Sequence, residues 1–291
     1  MLALPLRPRC RVILDNDWSG DPDGLVALAH HLLSPTNRVV AVTSSFLSPQ
    51  FGSPRSRAAD GADLAGRLVD AIGPSARPVV ATGCETAFAA GDWDETAPAV
   101  DVIVAEAHRP DPLPLQLVCG GPLTNVAAAL RRDPSIATKM SLIWVGGALE
   151  EHTAEYNRDT DPEAAAFVLS QPDLPIFQFP VETYRQCAVS VAELQHGLTS
   201  SGPVGRWLWE RFTSLHLPDF VELSEVWPIG DSPPILLTAL TTDSSRSETR
   251  SGGAARAPRH VFTRVDFRLI WGDFIAKLQL HEQATNSASA P

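Results

Sequence analysis

The chain is poor in basic residues. Its 23 lysines and arginines are outnumbered by 34 aspartates and glutamates, which gives a formal net charge of −11 at pH 7. Such a surplus of negative charge disfavours electrostatic binding to nucleic acid or to an anionic membrane. We therefore expect no nucleic-acid or membrane partner, and we expect a neutral or cationic small molecule as the substrate.

The chain also has few cysteines and no long apolar run. Its four cysteines, Cys10, Cys84, Cys119 and Cys187, are widely separated and lack the spacing of a metal site. We expect them to be structural, because a thiol within an apolar strand is usually inert. No apolar stretch has the length of a membrane span, and residues 1–10 are too short and too interrupted by proline and arginine for a signal peptide. These absences predict a cytoplasmic protein.

The apolar content, in contrast, is sufficient for a large core. The chain has 291 residues, of which 44% are hydrophobic, and its composition shows no break. We expect one domain over residues 1–291. Residues 241–258 are rich in Ser, Thr, Gly, Ala and Arg, which predicts a mobile surface loop, and residues 283–291 predict a frayed tail.

Short apolar runs alternate with helical patterns along the first two thirds of the chain. The predicted strands are Arg11 to Leu14, Val39 to Thr43, Pro78 to Ala81, Leu115 to Cys119, Ser141 to Val145 and Ile176 to Phe179. The predicted helices are Pro22 to Leu33, Arg55 to Ile72, Ala97 to His108, Asn125 to Arg131, Asp161 to Ser170, Val204 to Leu215 and a segment around Asp273 to Leu280. This alternation predicts an α/β fold with an open, mostly parallel central sheet flanked by helices and a helical C-terminal extension.

Four carboxylates follow the first predicted strand within nine residues: Asp15, Asp17, Asp21 and Asp23. Ligands of open α/β sheets bind at this kind of strand-to-helix loop. Like charges at such spacing raise one another's pKa, and a bound cation relieves the repulsion. An oxygen-only cluster favours calcium or magnesium over zinc. The alternative is a solvated acidic turn in which Asp21 caps the next helix.

Polar residues stand at three further corners of the predicted fold. Thr124 follows a strand within Gly120 to Asn125, and it offers either an oxygen to a ligand or an ordinary helix cap. Asp161, followed by a proline, is typical of a helix N-cap, whereas Glu155 and Asn157 have no evident capping role and are candidates for hydroxyl recognition. Asp231 either caps the apolar segment that follows it or supplies another oxygen ligand.

Taken together, these segments resemble the nucleoside hydrolase family of the inosine/uridine-preferring type, whose members cleave the N-glycosidic bond of nucleosides with calcium. The matching positions are Asp15, Asp17, Gly20, Asp21 and Asp23, then Gly121 to Asn125, Gly146 to Ala165, and Asp231 before two prolines. They occur in the family's order over most of the chain. The family's Rossmann-like open sheet agrees with the fold predicted above.

The resemblance implies a role for each matching residue. Asp17 would bind Ca²⁺ and act as the base toward a metal-bound water. Asp23 or Asp21, the main-chain oxygen of Thr124, and Asp231 would complete the metal ligands. Glu155 and Asn157 would hold ribose hydroxyls, and the N-terminal residues Asp21 and Asn16 would complete the substrate-binding set. The family also implies a homo-oligomer, either a dimer or a tetramer, and a role in nucleoside salvage.

The chain departs from the family pattern at three places. Asp23-Gly24 stands where two adjacent aspartates are usual, no asparagine follows the second strand within Thr43 to Ser48, and Gly230 replaces a histidine that protonates the leaving base. His152, Trp18 and Trp227 are the remaining candidates for helping the base to leave.

Two alternative functions remain open from the sequence. A haloacid dehalogenase-type phosphatase would use Asp15 as the nucleophile with magnesium, but it usually needs a lysine, and the two lysines, Lys139 and Lys277, are in unconvincing settings. The other alternative is an inactive relative that binds a nucleoside or ribose without cleaving it.

Overall fold

The apolar runs form strands, eight of which join in one sheet. The structure is a computed structural model that describes residues 4–20, 22–48, 57–88, 96–150, 152–215, 224–250 and 256–289. The strands are β1 (Cys10–Asn16), β2 (Asn37–Ser44), β3 (Val79–Thr82), β4 (Leu115–Cys119), β5 (Met140–Val145), β6 (Ile176–Phe179), β7 (Ala188–Ser190), β8 (Val226–Pro228), β9 (Arg246–Arg250) and β10 (Arg259–Arg264).

The order of the large sheet is β3-β2-β1-β4-β5-β6-β10-β9. All neighbours are parallel except β10 and β9, while β7 and β8 form a separate antiparallel pair. The chain builds outward from β1 to β3 on one side, and then returns to place β4 on the other side of β1. This reversal makes the carboxyl ends of β1 and β4 a topological switch point, where ligands bind in open α/β sheets.

The helices connect the strands and cover both faces of the sheet. They are α1 (Pro22–Leu32), α2 (Ala58–Ile72), α3 (Pro98–His108), α4 (Thr124–Arg132), α5 (Tyr156–Thr160), α6 (Pro162–Leu169), α7 (Val181–Tyr184), α8 (Val191–Thr199), α9 (Gly202–Thr213), α10 (Ile235–Thr238) and α11 (Phe267–Ser289), with a 3₁₀ turn at Pro134–Thr138. None of the helices in the described ranges is long and apolar enough to cross a bilayer.

Strand β1 lies at the centre of two hydrophobic layers. Val12 and Leu14 belong to one layer with residues of α1, α2, α9 and α11, whereas Ile13 belongs to the opposite layer with residues of α3, α4 and α6. All seven residues of β1 are buried. Because successive side chains of a strand point to opposite faces, a strand covered on both sides is mainly apolar, as at Val12 to Leu14, and the buried Arg11 of β1 is paired with Glu106. The apolar run before Asp15 therefore predicts a strand that is covered by helices on both faces of the sheet.

The predicted fold class is confirmed, and every predicted strand and helix has a counterpart within a few residues, except that residues 55 and 56 lie outside the described ranges. Two segments differ from the prediction. Part of the predicted loop at 241–258 forms the exposed strand β9 on the sheet edge, where pairing with β10 requires no apolar face. Helix α11 extends through residues 283–289 of the predicted frayed tail, where the hydroxyls of Thr285 and Ser287 donate to the carbonyls of His281 and Gln283. Residues 251–255, 290 and 291 of the two predicted segments lie outside the described residues. The mobility of both segments and the single domain remain predictions.

Asp161 holds together the elements that follow β4 and β5. It is the N-cap of α6, as predicted, and accepts a hydrogen bond from the backbone N–H of Ala164 at 3.1 Å. Its Oδ2 also accepts bonds from the Thr124 hydroxyl at 2.5 Å and from the Phe88 N–H at 2.7 Å. One buried carboxylate therefore connects α4, α6 and the segment after β3.

We predict that Asp161→Ala lowers the free energy of unfolding by about 3 kcal/mol, because it removes a helix cap and leaves buried donors without acceptors. Urea denaturation followed by far-UV circular dichroism measures this change. Glu163→Ala, in the first turn of the same helix but exposed, serves as the control, with a change below about 0.5 kcal/mol. Equal losses in the two variants would contradict the assignment.

Candidate functional site

The candidate site lies at the carboxyl ends of β1 and β4. Asp15 is in register with Thr43 of β2 and with Cys119 of β4, so the chain leaves three neighbouring strands at one level. The acidic loop after β1, the Gly120-Gly121 corner after β4 and the loop after β5 meet at this edge. The structure thus brings most of the predicted site residues together.

Asp15 is the most deeply fixed carboxylate of the site. It is 1% exposed, and its Oδ1 accepts hydrogen bonds from the Thr43 hydroxyl at 2.6 Å and from Asn125 Nδ2 at 2.8 Å. Burial raises the pKa of Asp15 to about 6, although these hydrogen bonds lower it. With its oxygens directed at protein donors, Asp15 braces β1 against β2 and α4.

Asp17 presents an unoccupied oxygen. Its Oδ2 accepts a hydrogen bond from the Tyr156 hydroxyl at 2.9 Å, while its buried Oδ1 has no partner within the described ranges. Burial raises the pKa of Asp17 to about 7; the bond from Tyr156 opposes this rise, and the charges of Asp23 and Asp15 add to it. A buried carboxylate oxygen without a donor is costly, and it is therefore a candidate ligand atom.

Asp23 and Asp231 lie beside Asp17, although they are 208 residues apart in the sequence. Asp23 Oδ2 accepts a hydrogen bond from the N–H of Asp231 at 3.2 Å. Asp231 Oδ2 accepts one from Asn16 Nδ2 at 2.5 Å, and Asn16 Oδ1 accepts one from the N–H of Asp17 at 2.8 Å. The side chain of Asn16, which we predicted to bind substrate, thus links the end of β1 to Asp231. Asp231 does not cap α10, whose N-cap is Pro234.

The main chain of Gly120 approaches the carboxylates more closely than the sequence indicated. A β-carbon at Gly120 would lie 2.5 Å from Asp231 Oδ2 and 2.6 Å from Asn16 Nδ2, so only glycine fits there. Thr124, whose main-chain oxygen is the predicted ligand, is the first residue of α4, and its hydroxyl donates to Asp161. Leu123, rather than Thr124, is the N-cap of α4. The role of the Thr124 main-chain oxygen as a metal ligand stays a prediction.

Glu155 has the capping role that the sequence did not reveal. It is the N-cap of α5, and its Oε1 accepts from the N–H of Asn157 at 3.1 Å. Its Oε2 accepts from the N–H of Gly147 at 2.6 Å and from that of Arg158 at 2.8 Å. The hydroxyl of Tyr184 donates to Oε1 at 3.1 Å. Burial raises the pKa of Glu155, and these donors lower it.

Asn157 keeps one polar atom for a ligand. Its Nδ2 donates to the carbonyls of Gly120 at 2.7 Å and Val145 at 2.9 Å, which fixes the amide plane. Its buried Oδ1 has no partner among the described residues. An amide oxygen held in this way is suited to accept a hydrogen bond from a hydroxyl group.

Tyr184 occupies the space next to Gly230. A β-carbon at position 230 would lie 3.1 Å from Cδ2 of the Tyr184 ring and 3.5 Å from Asp23 Oδ2. The ring thus lies where a longer side chain at position 230 would enter the site. Burial, together with the negative charges of Glu155 and Asp231, raises the pKa of Tyr184 far above its usual value. The chain contains only two tyrosines, and each donates its hydroxyl to a site carboxylate.

The candidates for protonating a leaving base are poorly placed. Trp18 is a core residue whose indole N–H donates to the carbonyl of Thr43 at 2.8 Å, so its predicted role in the site is wrong. His152 is exposed, and Trp227 packs edge-on against Phe212. Asp21, a predicted substrate-binding or metal-binding residue, lies outside the described residues.

The donor chemistry of the site suits a hard cation. In the part of the chain that the structure describes, no three His, Cys, Asp or Glu side chains are already arranged to hold a metal ion. The unpartnered oxygen of Asp17 and the adjacent carboxylates of Asp23 and Asp231 nevertheless supply only oxygen donors. Calcium and magnesium prefer this set.

Sequence reasoning missed three residues of the site: Gly120, Tyr156 and Tyr184. The glycine pair after β4 was a visible signal for a close main-chain approach. Tyr156 stands between the two residues that we singled out, Glu155 and Asn157, so its proximity was also visible. Tyr184 carries no local signal, because its contact with Glu155 depends on the packing of α7 beside the loop that follows β5.

Solved structures with the same fold include nucleoside hydrolases. A purine-preferring ribonucleoside hydrolase from Gardnerella vaginalis superimposes with a TM-score of 0.73 at 18% identity, over 94% of this chain and 99% of that one. An inosine-guanosine nucleoside hydrolase gives a TM-score of 0.70 at 18% identity, over 93% and 99% of the two chains. At these identities the comparison shows the fold.

Sequence comparison shows the family. The family described as inosine-uridine preferring nucleoside hydrolase matches residues 12–249, and the chain therefore belongs to this family of hydrolases that act on nucleosides. An uncharacterised protein of Schizosaccharomyces pombe is 28% identical over 68% of this chain and 71% of its own length. The pyrimidine-specific ribonucleoside hydrolase RihA of Salmonella arizonae is 29% identical over 35% of this chain and 34% of its own length.

We predict that Asp17→Asn stabilises the metal-free protein increasingly as pH rises. In the native protein the raised pKa keeps Asp17 protonated below about pH 7, whereas the unfolded carboxyl ionises near pH 4. The wild type therefore loses stability between these values as the pH rises, and the variant lacks this loss. Thermal melts in chelator should show the variant melting at least about 5 °C higher at pH 8 and nearly equally at pH 4. A difference that does not change with pH would contradict the assignment.

Proposed function

We propose that this protein hydrolyses the N-glycosidic bond of ribonucleosides to the free base and ribose, with Ca²⁺ bound at the carboxyl ends of β1 and β4. The observation that carries the proposal is the buried, unpartnered oxygen of Asp17 beside Asp23 and Asp231. These three carboxylates and the main-chain oxygen of Thr124 would hold the ion. The family match supports the reaction, and the oxygen-only donor set supports the choice of metal.

Bond cleavage at the anomeric carbon passes through an oxocarbenium-like transition state, so the site must fix the ribose and activate a water. Calcium, when bound, supplies positive charge that lowers the pKa of water and spare coordination positions for sugar hydroxyls. Asp17 would accept the proton of the attacking water. The bond from Tyr156 is made to Oδ2, so Oδ1, which has no partner among the described residues, is the oxygen that would accept this proton.

The ribose is held by groups that the fold has already oriented. Asn157 Oδ1 is buried and without a partner, and it is fixed through the two bonds of Nδ2 to the carbonyls of β5 and the Gly120 corner. We propose that it accepts a hydrogen bond from a ribose hydroxyl. Asp21 stays a proposal for the substrate because of its place in the acidic loop.

Position 230 is a glycine, so it supplies no side chain that could protonate the leaving base. The relatives named above include purine-preferring and pyrimidine-specific enzymes, so we propose ribonucleosides as the substrate class without choosing between the bases.

The phosphatase alternative is disfavoured, because Asp15 Oδ1 accepts hydrogen bonds from Thr43 and Asn125 and the residue is 1% exposed. We also propose nucleoside salvage in the cytoplasm, supported by four free cysteines, and a homo-oligomer by family resemblance.

We predict that Asp17→Asn lowers kcat by at least about 10³-fold toward every nucleoside that the wild type cleaves, because both the base and a metal ligand are lost. Release of free base from a purine and pyrimidine panel measures turnover. Asp243→Asn, which alters an exposed carboxylate, is the control and should retain wild-type rates. No release of base by the wild type, with calcium bound, would overturn the proposed reaction in favour of an inactive nucleoside-binding relative.

We predict that Ca²⁺ binds the chelator-treated protein with one site per chain and that Asp231→Asn weakens this binding by about 10-fold or more. Isothermal titration calorimetry gives the stoichiometry and the affinity, and thermal melts with and without Ca²⁺ give an independent measure. Asp243→Asn again serves as the control. Wild-type affinity in Asp231→Asn would place the ion elsewhere.

A further inference from the structure

We propose that the phenolic oxygen of Tyr184, held in place by Glu155, accepts a hydrogen bond from a hydroxyl of the ribose. This inference rests on the proposed function, since it concerns the sugar part of the same substrate. It assigns to Tyr184 a contact that the sequence led us to assign to Glu155.

The first step is that the carboxylate of Glu155 is saturated. A carboxylate offers about four lone-pair positions, two on each oxygen. Oε2 accepts from the N–H groups of Gly147 and Arg158, and Oε1 accepts from the N–H of Asn157 and from the Tyr184 hydroxyl. A ribose hydroxyl could bind Glu155 directly only by displacing one of these donors. Three of them are backbone groups that hold α5 and the loop after β5, and the fourth is Tyr184.

The second step is that Tyr184 lies at the site. Its ring is in contact with the backbone at Gly230, where an added β-carbon would be 3.1 Å from Cδ2. The same β-carbon would be 3.5 Å from Asp23 Oδ2, and Asp231 follows Gly230 directly in the chain. Tyr184 therefore lies between the saturated Glu155 and two of the carboxylates that we propose as metal ligands.

The third step is the remaining hydrogen-bonding capacity of the hydroxyl. A phenolic hydroxyl has one proton to donate and lone pairs with which to accept. The proton is directed at Glu155 Oε1, and the oxygen accepts no hydrogen bond from any described residue. A partner that completes this group must be a donor, and a sugar hydroxyl is such a donor. Tyr184 therefore donates to Glu155 and, through its own oxygen, would accept a hydrogen bond from the substrate in place of Glu155.

The experiment compares Tyr184→Phe with the wild type on a nucleoside and on its 2′-, 3′- and 5′-deoxy forms. We expect the variant to lose about tenfold in kcat/KM on the parent nucleoside, which is the scale of one hydrogen bond. We expect the same loss on two of the deoxy forms and almost none on the third, because that form lacks the hydroxyl that Tyr184 contacts. Competition binding constants replace turnover for any form that is hydrolysed too slowly.

Thr183→Val is the matched control. It removes a neighbouring hydroxyl of α7 that donates to the carbonyl of Phe262 at 2.6 Å. Its effect, whatever its size, should be the same for the parent and all three deoxy forms. If the Tyr184→Phe loss is also uniform across the four substrates, then Tyr184 supports the structure alone and the inference is wrong.

A riboside with p-nitrophenol as the leaving group tests the other way in which Tyr184 could act. Loss of activity on this substrate as large as on the nucleoside supports the contact with the sugar. A loss confined to nucleosides would move Tyr184 to the leaving base and overturn the inference. If the wild type binds nucleosides without cleaving them, the proposed reaction is wrong. The binding constants of Tyr184→Phe for the parent and deoxy forms then still test the contact of Tyr184 with the sugar.

Discussion

The burial of two carboxylates at the end of one central strand is the constraint to which the rest of the site responds. Asp15 and Asp17 are each 1% exposed, and an ionised carboxylate away from water is unfavourable by several kcal/mol unless other groups compensate. Asp15 receives its compensation from Thr43 and Asn125, and Asp17 receives part of its own from Tyr156. The unpartnered oxygen of Asp17 is what remains uncompensated. Asp17 forms no ion pair with a basic side chain among the described residues, so the fold leaves a position there that suits a bound positive charge.

The two kinds of carboxylate in the site have different tasks. Asp15, Asp161 and Glu155 accept hydrogen bonds from groups on several elements, so they fix the strand ends and the helix starts. Asp23 contacts Asp231 at the switch point, and the charge of Asp23 acts on Asp17 there. Substitution of a residue of the first kind disturbs the geometry, whereas substitution of one of the second kind changes the charge. The distinction depends on hydrogen-bond partners and cannot be made from residue type.

The sequence was sufficient for the part of the structure that local patterns determine. Strands β4 and β6 have the predicted bounds, because a strand covered on both faces is mainly apolar, and each of these two contains a single glutamine. Strands β7 and β8 have only three residues each, and β9 and β10 contain few apolar residues, so none of the four was predicted. Asp17, Asp23 and Asp231 lie at the same edge of the sheet, linked through Asn16 and the N–H of Asp231, while their roles as metal ligands stay predictions. The saturation of Glu155 and the position of Tyr184 depend on how α5 and α7 pack, and no spacing in the sequence encodes that packing.

The contact between Gly230 and Tyr184 also limits how this site can change over evolution. A β-carbon at position 230 would be only 3.1 Å from the ring, so the ring must move by a few tenths of an ångström before any residue other than glycine fits. The residue that position 230 can hold therefore depends on the room that position 184 leaves, and we expect the two positions to vary together.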